Sequence, residues 1–380
     1  MLTFNNKLFS NLVWNMTNKY KIPETHPDFK LNKLHFTNAD LKQVAYSYIK
    51  EGEPFEQQIG SFLLDWLKPT SYIEVKTSGS TGEPKKIRLQ KQHMVNSALA
   101  TSKFFKLPAH TKALMCLPAE YIAGKMMLVR AMFLGWNIDT VPPSSNPLDQ
   151  VFKVYDFSAM TPFQLDNSIA RLHLVKKMII GGGAVSPRLR NMLKEVDSIL
   201  FETYGMTETC SHIAAKRLNP RKKKKGERPF KLMPNVGITQ DERGCLIIKA
   251  PNILDEEIVT NDVVEIITYK RFLWKGRYDN IINSGGIKLF PEQIEQKLNK
   301  VLDRRFFVTS MPDDSLGEKL ILFVEDDFSE ETIDQLKEQI DNIKSLDKYE
   351  KPKKIYLIEK FEETPNGKIH RENTLKSKVS

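Results

Sequence analysis

Three stretches of the chain have the residue pattern of helices. Phe55 to Leu67 has apolar residues at helical spacing, and we expect that face to pack on the following sheet. Lys91 to Phe105 contains neither Gly nor Pro, and Ile122 to Leu134 is apolar along most of its length. Apart from the first of these helices, residues 1–70 carry few signals.

Short apolar or β-branched runs lie between the helical stretches. Strands are predicted at Ser71–Val75, Ala113–Leu117, Asn137–Val141, Lys177–Ile180 and Ser198–Phe201, and further helices at Pro162–Leu174 and Pro187–Val196. Strands that alternate with helices predict an α/β fold whose largely parallel sheet is covered on both faces. In such sheets, ligands bind at the carboxyl ends of the strands.

The pattern changes twice towards the C-terminus. Between Gly226 and Lys270, strand-like stretches separated by turns predict a small, more antiparallel β region. From Asn280 onward, further strands and helices have their own apolar periodicity. We therefore predict a large N-terminal α/β domain, residues 1–276, followed by a small hinged α+β domain, residues 277–380.

Composition narrows the class of protein. With 41% hydrophobic and 27% charged residues in 380, the chain is a globular protein with room for a sizeable core. The net charge of +10 favours anionic ligands, either nucleic acid or phosphorylated small molecules. The densest basic run, Arg221 to Lys225, has no interleaved aromatic residues, so we interpret it as a solvated loop and expect no nucleic-acid partner.

The three cysteines are scattered without metal or redox spacing, which predicts a reduced, cytoplasmic setting. Met1 to Tyr20 lacks the apolar block of a signal peptide. The most apolar run, Met126 to Trp136, is interrupted by Arg130 and is too short to span a bilayer, so no membrane span is expected.

The segment from Thr77 to Lys85 joins a predicted strand to a predicted helix. Small hydroxyl residues and two glycines allow a sharp turn that aims backbone N–H groups at an anion, and Lys85 adds a positive charge. The segment does not match G-x-x-x-x-G-K-[ST], so it is not a Walker loop. By composition alone it is more typical of an ordinary flexible loop.

The order of these nine residues resembles the phosphate loop of the acyl-adenylate-forming enzymes, which include acyl-CoA synthetases, peptide-synthetase adenylation domains and luciferases. The resemblance covers about residues 71–380, with an abbreviated first subdomain before it. It implies that Thr81 is catalytic. It also implies that the phosphates of ATP are bound by Thr77, Ser78, Gly79, Ser80, Thr81, Gly82 and Lys85.

The pentapeptide Tyr204-Gly205-Met206-Thr207-Glu208 matches the motif that comes after the phosphate loop in that family. An adenine can lie on the tyrosine ring, and Glu208 can hold Mg²⁺, which favours carboxylate and phosphate oxygens. By itself the pentapeptide is equally a strand-end turn. The resemblance assigns the nucleotide to its first four residues, assigns the metal and a catalytic role to Glu208, and places Gly182, Gly183 and Ala184 beside the adenine.

Further motifs appear in the family's order. Asp262 stands at the Asp of the family's usual Thr-Gly-Asp motif, and Asn261 replaces the usual Gly. An ionised carboxylate at this position can accept hydrogen bonds from both ribose hydroxyls. The stretch from Gly276 to Glu295 matches the family's interdomain segment. It implies that Arg277 reaches the ribose and that Asp279 is the hinge.

Two motifs are expected on the small domain. Ser284, Gly285 and Gly286 would form a side-chain-free wall along the path of the pantetheine arm of CoA. Lys368, in Thr364-Pro365-Asn366-Gly367-Lys368, would enter the adenylation site, where it is catalytic and binds the nucleotide. Without the resemblance, a lysine near a C-terminus is usually exposed to solvent.

The acyl pocket is assigned to Tyr121, Gly182, His212 and Arg217. Tyr121 stands where the family commonly has His. The segment from Tyr204 to Arg217 is most similar to the branch that activates 2-succinylbenzoate for menaquinone biosynthesis. That acid has a second carboxylate, for which His212, Lys216 and Arg217 are cationic candidates; Lys216 and Arg217 are equally interpreted as surface charges.

The motifs together predict an ATP-dependent acid–CoA ligase with ATP, Mg²⁺, CoA and a small carboxylic acid as its partners. A ligase for another aryl or short-chain acid and a carrier-protein-loading adenylation domain are the alternatives. A nucleic-acid-binding protein is supported only by the net charge. The sequence leaves open whether the protein is a homodimer.

Overall fold

The computed structural model describes residues 22–76, 85–220, 227–363 and 369–379. The strands before residue 278 are β1 (Lys30–Leu31), β2 (Leu34–His35), β3 (Tyr72–Lys76), β4 (Lys86–Gln90), β5 (Lys112–Met115), β6 (Asn137–Thr140), β7 (Tyr155–Met160), β8 (Val175–Ile180), β9 (Ile199–Gly205), β10 (His212–Arg217), β11 (Phe230–Leu232), β12 (Gly237–Gln240), β13 (Cys245–Lys249), β14 (Ile258–Thr268) and β15 (Arg271–Arg277). The helices in the same part are α1 (Asn38–Glu51), α2 (Pro54–Leu67), α3 (Lys91–Phe105), α4 (Ile122–Leu134), α5 (Pro162–Asn167) and α6 (Pro187–Met192).

Thirteen of these strands form one sheet in the order β12-β13-β14-β15-β11-β10-β9-β8-β7-β5-β6-β1-β2. From β6 through β5, β7 and β8 to β9 every pair is parallel, as the alternating pattern predicted. From β9 onward through β10 and β11 every pair is antiparallel. The predicted antiparallel β region therefore continues the parallel sheet and does not form a separate one.

The two long central helices have the predicted bounds. α3 ends where Lys106 adopts a left-handed φ of 54°, and α4 ends at Gly135 with φ 68°. α4 is buried on nearly all sides, in agreement with its apolar sequence. The predicted helix 162–174 is instead α5 followed by a 3-10 helix, Ile169–Leu174, and the helix predicted from Pro187 likewise ends in a 3-10 helix, Leu193–Glu195.

Residues 22–70 fold as a strand hairpin followed by a helix hairpin. The predicted packing of α2 is confirmed, since Phe62 and Trp66 are buried in the main core. The helix before it, α1, was not predicted; it begins at a capping box between Thr37 and Asp40. Gly60 lets the two helices touch, because a Cβ there would lie 2.6 Å from the carbonyl oxygen of Ala45.

A second sheet follows residue 277 and has its own apolar clusters. Its elements are a 3-10 helix (Tyr278–Asn280), β16 (Ile282–Ser284), β17 (Ile287–Leu289), α7 (Pro291–Leu298), β18 (Phe306–Asp313), β19 (Gly317–Glu325), α8 (Glu330–Asp341), β20 (Lys354–Ile358) and α9 (Arg371–Val379). The division into domains at residues 276 and 277 stays a prediction. None of the helices in the described ranges combines the length and apolarity needed to cross a bilayer.

Candidate active site

The carboxyl ends of β8 and β9 lie side by side, since Ile180 pairs with Glu202 in the parallel register. Gly181, Gly182 and Gly183 follow β8, and the turn from Met206 to Ser211 follows β9. β9 is longer than its predicted extent, so Tyr204 and Gly205 are its last residues and do not follow the strand. The two predicted nucleotide motifs therefore meet at one edge of the sheet.

The glycine segment after β8 is open to solvent. Gly182 has a φ of 80°, which favours glycine, and Gly183 and Ala184 are exposed. A Cβ at Gly183 would lie no closer than 3.7 Å to protein, at the ring of Pro162. Packing against the described protein therefore does not require glycine at position 183, and the missing side chain leaves room for a ligand such as the predicted adenine.

The turn after β9 is held by its own side chains. The Thr209 hydroxyl accepts from the Met206 N–H at 3.1 Å and lies within donating distance of two carbonyl oxygens, that of Ser211 at 2.6 Å and that of Met206 at 2.9 Å. Cys210 is buried in a left-handed conformation with φ 59°. This arrangement leaves Glu208 exposed on the turn, at the same edge of the sheet as the glycine segment.

Tyr204 and Asp262, 58 residues apart, are in direct contact. The tyrosine hydroxyl donates to Asp262 Oδ2 at 2.7 Å, and Trp274 Nε1 donates to Oδ1 at 3.0 Å. Burial and the Asp262 carboxylate raise the pKa of Tyr204, so its hydroxyl stays protonated as the donor. Each carboxylate oxygen retains a lone pair that can accept a ribose hydroxyl. Trp274 was not identified from the sequence.

Arg277 lies opposite Asp262 in the β14–β15 pairing, so the two predicted ribose ligands are neighbours. Asp279, the predicted hinge, accepts from Arg277 Nη2 at 3.1 Å and from Asn261 Nδ2 at 3.2 Å. Asn261 therefore makes a side-chain contact that the usual Gly of this motif lacks.

Several predicted phosphate ligands, Thr77, Ser78, Gly79, Ser80, Thr81 and Gly82, lie outside the described residues, as does Lys368. Lys85 is described; it is exposed and immediately precedes β4. Within the described part of the chain, no group of three or more His, Cys, Asp or Glu side chains could hold a metal ion. Glu208 can supply one oxygen, which suits a Mg²⁺ whose other ligands are phosphate and water oxygens.

His212 is not a cation in this environment, which corrects one prediction. The residue is 8% exposed, and its Nδ1 forms a hydrogen bond with Ser211 Oγ at 3.1 Å. The ring packs edge-on against Phe105. Burial and the nearby Arg130 guanidinium lower its pKa well below the usual value, so the ring is neutral at pH 7. His212 also lines a small pocket between α3 and residues 233–236.

The other two cationic candidates differ from each other. Lys216 is buried and forms ion pairs with Glu202 at 3.4 Å and Glu227 at 3.3 Å. The interpretation of Lys216 as a surface charge is therefore wrong, and its charge is already paired with two carboxylates. Arg217 is half-buried over the ring of Phe201. Tyr121, at the start of α4, is 38% exposed.

Arg130 is a candidate site residue that was not identified from the sequence. Its guanidinium is 2% exposed and contacts the hydroxyls of Ser211 and Thr101 and the sulfur of Met127. Burial lowers its pKa to about 9. No acidic side chain in the described residues forms an ion pair with it. A buried cation with only neutral partners is unusual, since burial without a counter-charge is costly.

On the small sheet, Ser284, Gly285 and Gly286 lie in the β16–β17 hairpin. Gly285 and Gly286 have φ values of 57° and 80°. Among the described residues, no atom lies within 4 Å of a Cβ built at Gly286, whereas a Cβ at Gly285 would lie 3.2 Å from Leu316 Cδ2. The predicted side-chain-free surface is therefore open at Gly286. Its role along the path of CoA stays a prediction.

Two glycines of the site allow a prediction that separates folding from ligand binding. In Gly205→Ala, the new Cβ would lie 2.4 Å from the Ser211 carbonyl oxygen, so we expect a loss of about 1–3 kcal/mol in unfolding free energy. Gly183→Ala meets no such atom and should leave stability unchanged while weakening ATP binding. Urea denaturation and calorimetric titration with ATP measure the two effects. Equal stability of both variants would contradict the close contact between β9 and the turn that leads into β10.

Comparison with known proteins agrees with these motifs. A family model described as AMP-binding enzyme matches residues 75–244. The 2-succinylbenzoate–CoA ligase of Enterococcus faecalis is 25% identical over 337 residues, covering 77% of this chain and 67% of that protein. The enzyme of the same name from Listeria monocytogenes is 25% identical over 90% of this chain and 80% of its own length.

Solved structures show the same fold. O-succinylbenzoate coenzyme A synthetase from Bacillus subtilis, in complex with ATP and magnesium ion, has a TM-score of 0.70 at 16% identity, covering 95% of this chain and 99% of that chain. An acyl-CoA synthetase (AMP-forming)/AMP-acid ligase II-like protein from Dyadobacter fermentans is 35% identical, with a TM-score of 0.57 over 88% of this chain and 98% of its own. The family predicted from the motifs is confirmed: the chain belongs to the AMP-binding enzymes that form acyl-adenylates.

Proposed function

We propose that this protein is an ATP-dependent acid–CoA ligase whose substrate is 2-succinylbenzoate. The observation that supports the choice of acid is the buried guanidinium of Arg130, which none of the described acidic side chains neutralises. The names of the relatives at 25% identity point to the same substrate. The fold and the nucleotide motifs support the reaction class.

In the first half-reaction, a carboxylate oxygen of the acid attacks the α-phosphorus of MgATP. The bond between the α-phosphorus and the bridging oxygen breaks, and pyrophosphate leaves. Asp262 and Arg277 orient the ribose, and Glu208 contributes an oxygen to the Mg²⁺ that ATP brings. Thr77 to Gly82 and Lys368 are proposed to meet the charge that develops on the phosphates.

In the second half-reaction, the thiol of CoA loses its proton and its sulfur attacks the acyl carbon. The bond from that carbon to the AMP oxygen breaks, so the products are the thioester and AMP. For this step the small domain turns about Asp279 and presents Ser284, Gly285 and Gly286 to the pantetheine arm.

The acid carries two carboxylates, of which only the succinyl one reacts. The carboxylate on the ring enters the protein as a charge and needs a partner if it leaves water. Arg130 offers a planar donor set, charged at pH 7, that suits a carboxylate. Neutral His212 and Ser211 beside it add polar contacts without a second charge. An Arg that has no acidic partner among the described residues thus becomes a paired one in the complex.

Pyrophosphate exchange tests this proposal. We expect exchange with 2-succinylbenzoate and much weaker exchange with 4-oxo-4-phenylbutanoate, which lacks the ring carboxylate. Thioester formation should then require free CoA and not a carrier protein. Equal exchange with the two acids would favour a ligase for another aryl or short-chain acid, and transfer to a carrier protein would favour an adenylation domain. Absence of exchange with every acid would contradict the proposal.

A further inference from the structure

The segment before α4 is a tight turn that ends at Tyr121. The Tyr121 N–H donates to the Pro118 carbonyl oxygen at 3.3 Å, and the Lys125 N–H donates to the Tyr121 carbonyl oxygen at 3.1 Å. The first turn of the helix packs directly on it, because a Cβ at Gly124 would lie 2.1 Å from the Pro118 oxygen. The backbone at Tyr121, from which the side chain projects, is therefore fixed by this turn.

Lys125 reaches back over the same turn. Its side chain is 9% exposed, and Nζ donates to the carbonyl oxygens of Ala119 at 2.5 Å and Glu120 at 2.6 Å. The ammonium also lies 5.8 Å from the centre of the Phe62 ring. It forms no ion pair with an acidic side chain of the described residues; Asp65 and Glu120 act on it only at longer range.

The position of this cation is unfavourable for the helix itself. Lys125 lies in the first turn of α4, where the partial positive charge of the helix terminus repels a cation. Burial lowers its pKa to about 8, a second sign that the charged form is held at a cost. Helix stability therefore does not explain the residue, whereas the two carbonyl contacts do.

We infer that Lys125 is a positioning residue for the acyl side of the site: it holds the Ala119 and Glu120 carbonyls so that Tyr121 faces the acid. This inference rests on the proposed ligase function and on the predicted place of Tyr121 in the acyl pocket. In this proposal Tyr121 contacts the acid, whereas Lys125 acts only through Tyr121. The acid should therefore be affected by changes at Lys125, and ATP should not.

A second buried lysine provides a matched control. Lys91, the first residue of α3, is 0% exposed; its Nζ donates to the Lys68 carbonyl oxygen at 2.7 Å and lies 5.8 Å from the Trp66 ring. Burial lowers its pKa to about 8 as well. Lys91→Met removes a similar buried ammonium from the start of a different helix.

The test is a double-mutant cycle read by pyrophosphate exchange. Lys125→Met should raise the KM for the acid about ten-fold, with the KM for ATP unchanged, and Lys125→Arg should restore part of the loss. In a Tyr121→Ala background the same substitution should have no further effect. The amides of Tyr121 and Lys125 should exchange hydrogen faster in Lys125→Met than in Lys91→Met.

Three results would overturn the inference. One is an equal rise in acid KM with and without Tyr121, which would make the effects additive. Another is the same rise in Lys91→Met, which would indicate a general loss of stability. The third is unchanged amide exchange in the turn. A wild type without exchange for any acid would overturn the proposed function and the inference together, whereas an active wild type with additive losses overturns the inference alone.

Discussion

Lys368→Ala should lower adenylate formation by about 10²–10³-fold and leave thioester formation from a supplied acyl-adenylate intact. The lysine is proposed to matter only while charge develops on the phosphates. Gly286→Trp should do the reverse, because an indole ring would fill the open surface of the β16–β17 hairpin. Pyrophosphate exchange measures the first half-reaction, and the release of AMP from a supplied acyl-adenylate measures the second.

Gly286→Ala is the control for the second variant. Gly286 has a φ of 80°, so any side chain there carries backbone strain of about 1–2 kcal/mol, whether it is small or large. Alanine adds this strain without the bulk of an indole, since the space around the Cβ position is empty. If Lys368→Ala and Gly286→Trp slowed both half-reactions by the same factor, a single static site would perform all the chemistry.

The bounds of the central elements could be predicted because they depend on local sequence. α3 and α4 contain long stretches without helix breakers, and α4 ends at a glycine that adopts a left-handed φ. In contrast, β7 was missed because Asp156 and Ser158 interrupt its apolar run. Ser158 is nevertheless buried, and its hydroxyl donates to the Leu114 carbonyl oxygen of the neighbouring strand at 2.9 Å. Only the folded sheet supplies that acceptor.

The same distinction applies to the site. Tyr204 and Asp262 belong to motifs whose order along the chain is informative, so both could be predicted. Trp274 could not, since it is defined by a tertiary contact that no local pattern encodes. Arg130 has a local signal, because it interrupts the most apolar run of the chain, but its partners are defined only by the fold. The charge of His212 was predicted wrongly for a related reason: its pKa depends on burial and on Arg130, a residue 82 positions away in the chain.

Arg130→Met should abolish the preference for the diacid and should not destabilise the protein. Loss of one partner of a buried charge pair typically costs about 2–5 kcal/mol, which corresponds to about 30-fold to several thousand-fold in kcat/KM for 2-succinylbenzoate. Activity on 4-oxo-4-phenylbutanoate should be nearly unchanged, since that acid brings no second charge.

Stability provides the independent measurement. The contacts of the buried Arg130 guanidinium among the described residues are with neutral groups, and replacement of buried charge by a hydrophobic side chain is often neutral or stabilising by about 1–4 kcal/mol. The melting temperature of Arg130→Met should therefore equal or exceed that of the wild type, while 2-succinylbenzoate should raise it only in the wild type. Arg217→Met removes the other cation predicted for the acyl pocket, which lies half-buried over the Phe201 ring; this variant should keep the preference for the diacid if Arg130 alone binds the ring carboxylate. A variant that lost stability together with activity on both acids would identify Arg130 as a structural residue and remove the main support for a dicarboxylate substrate.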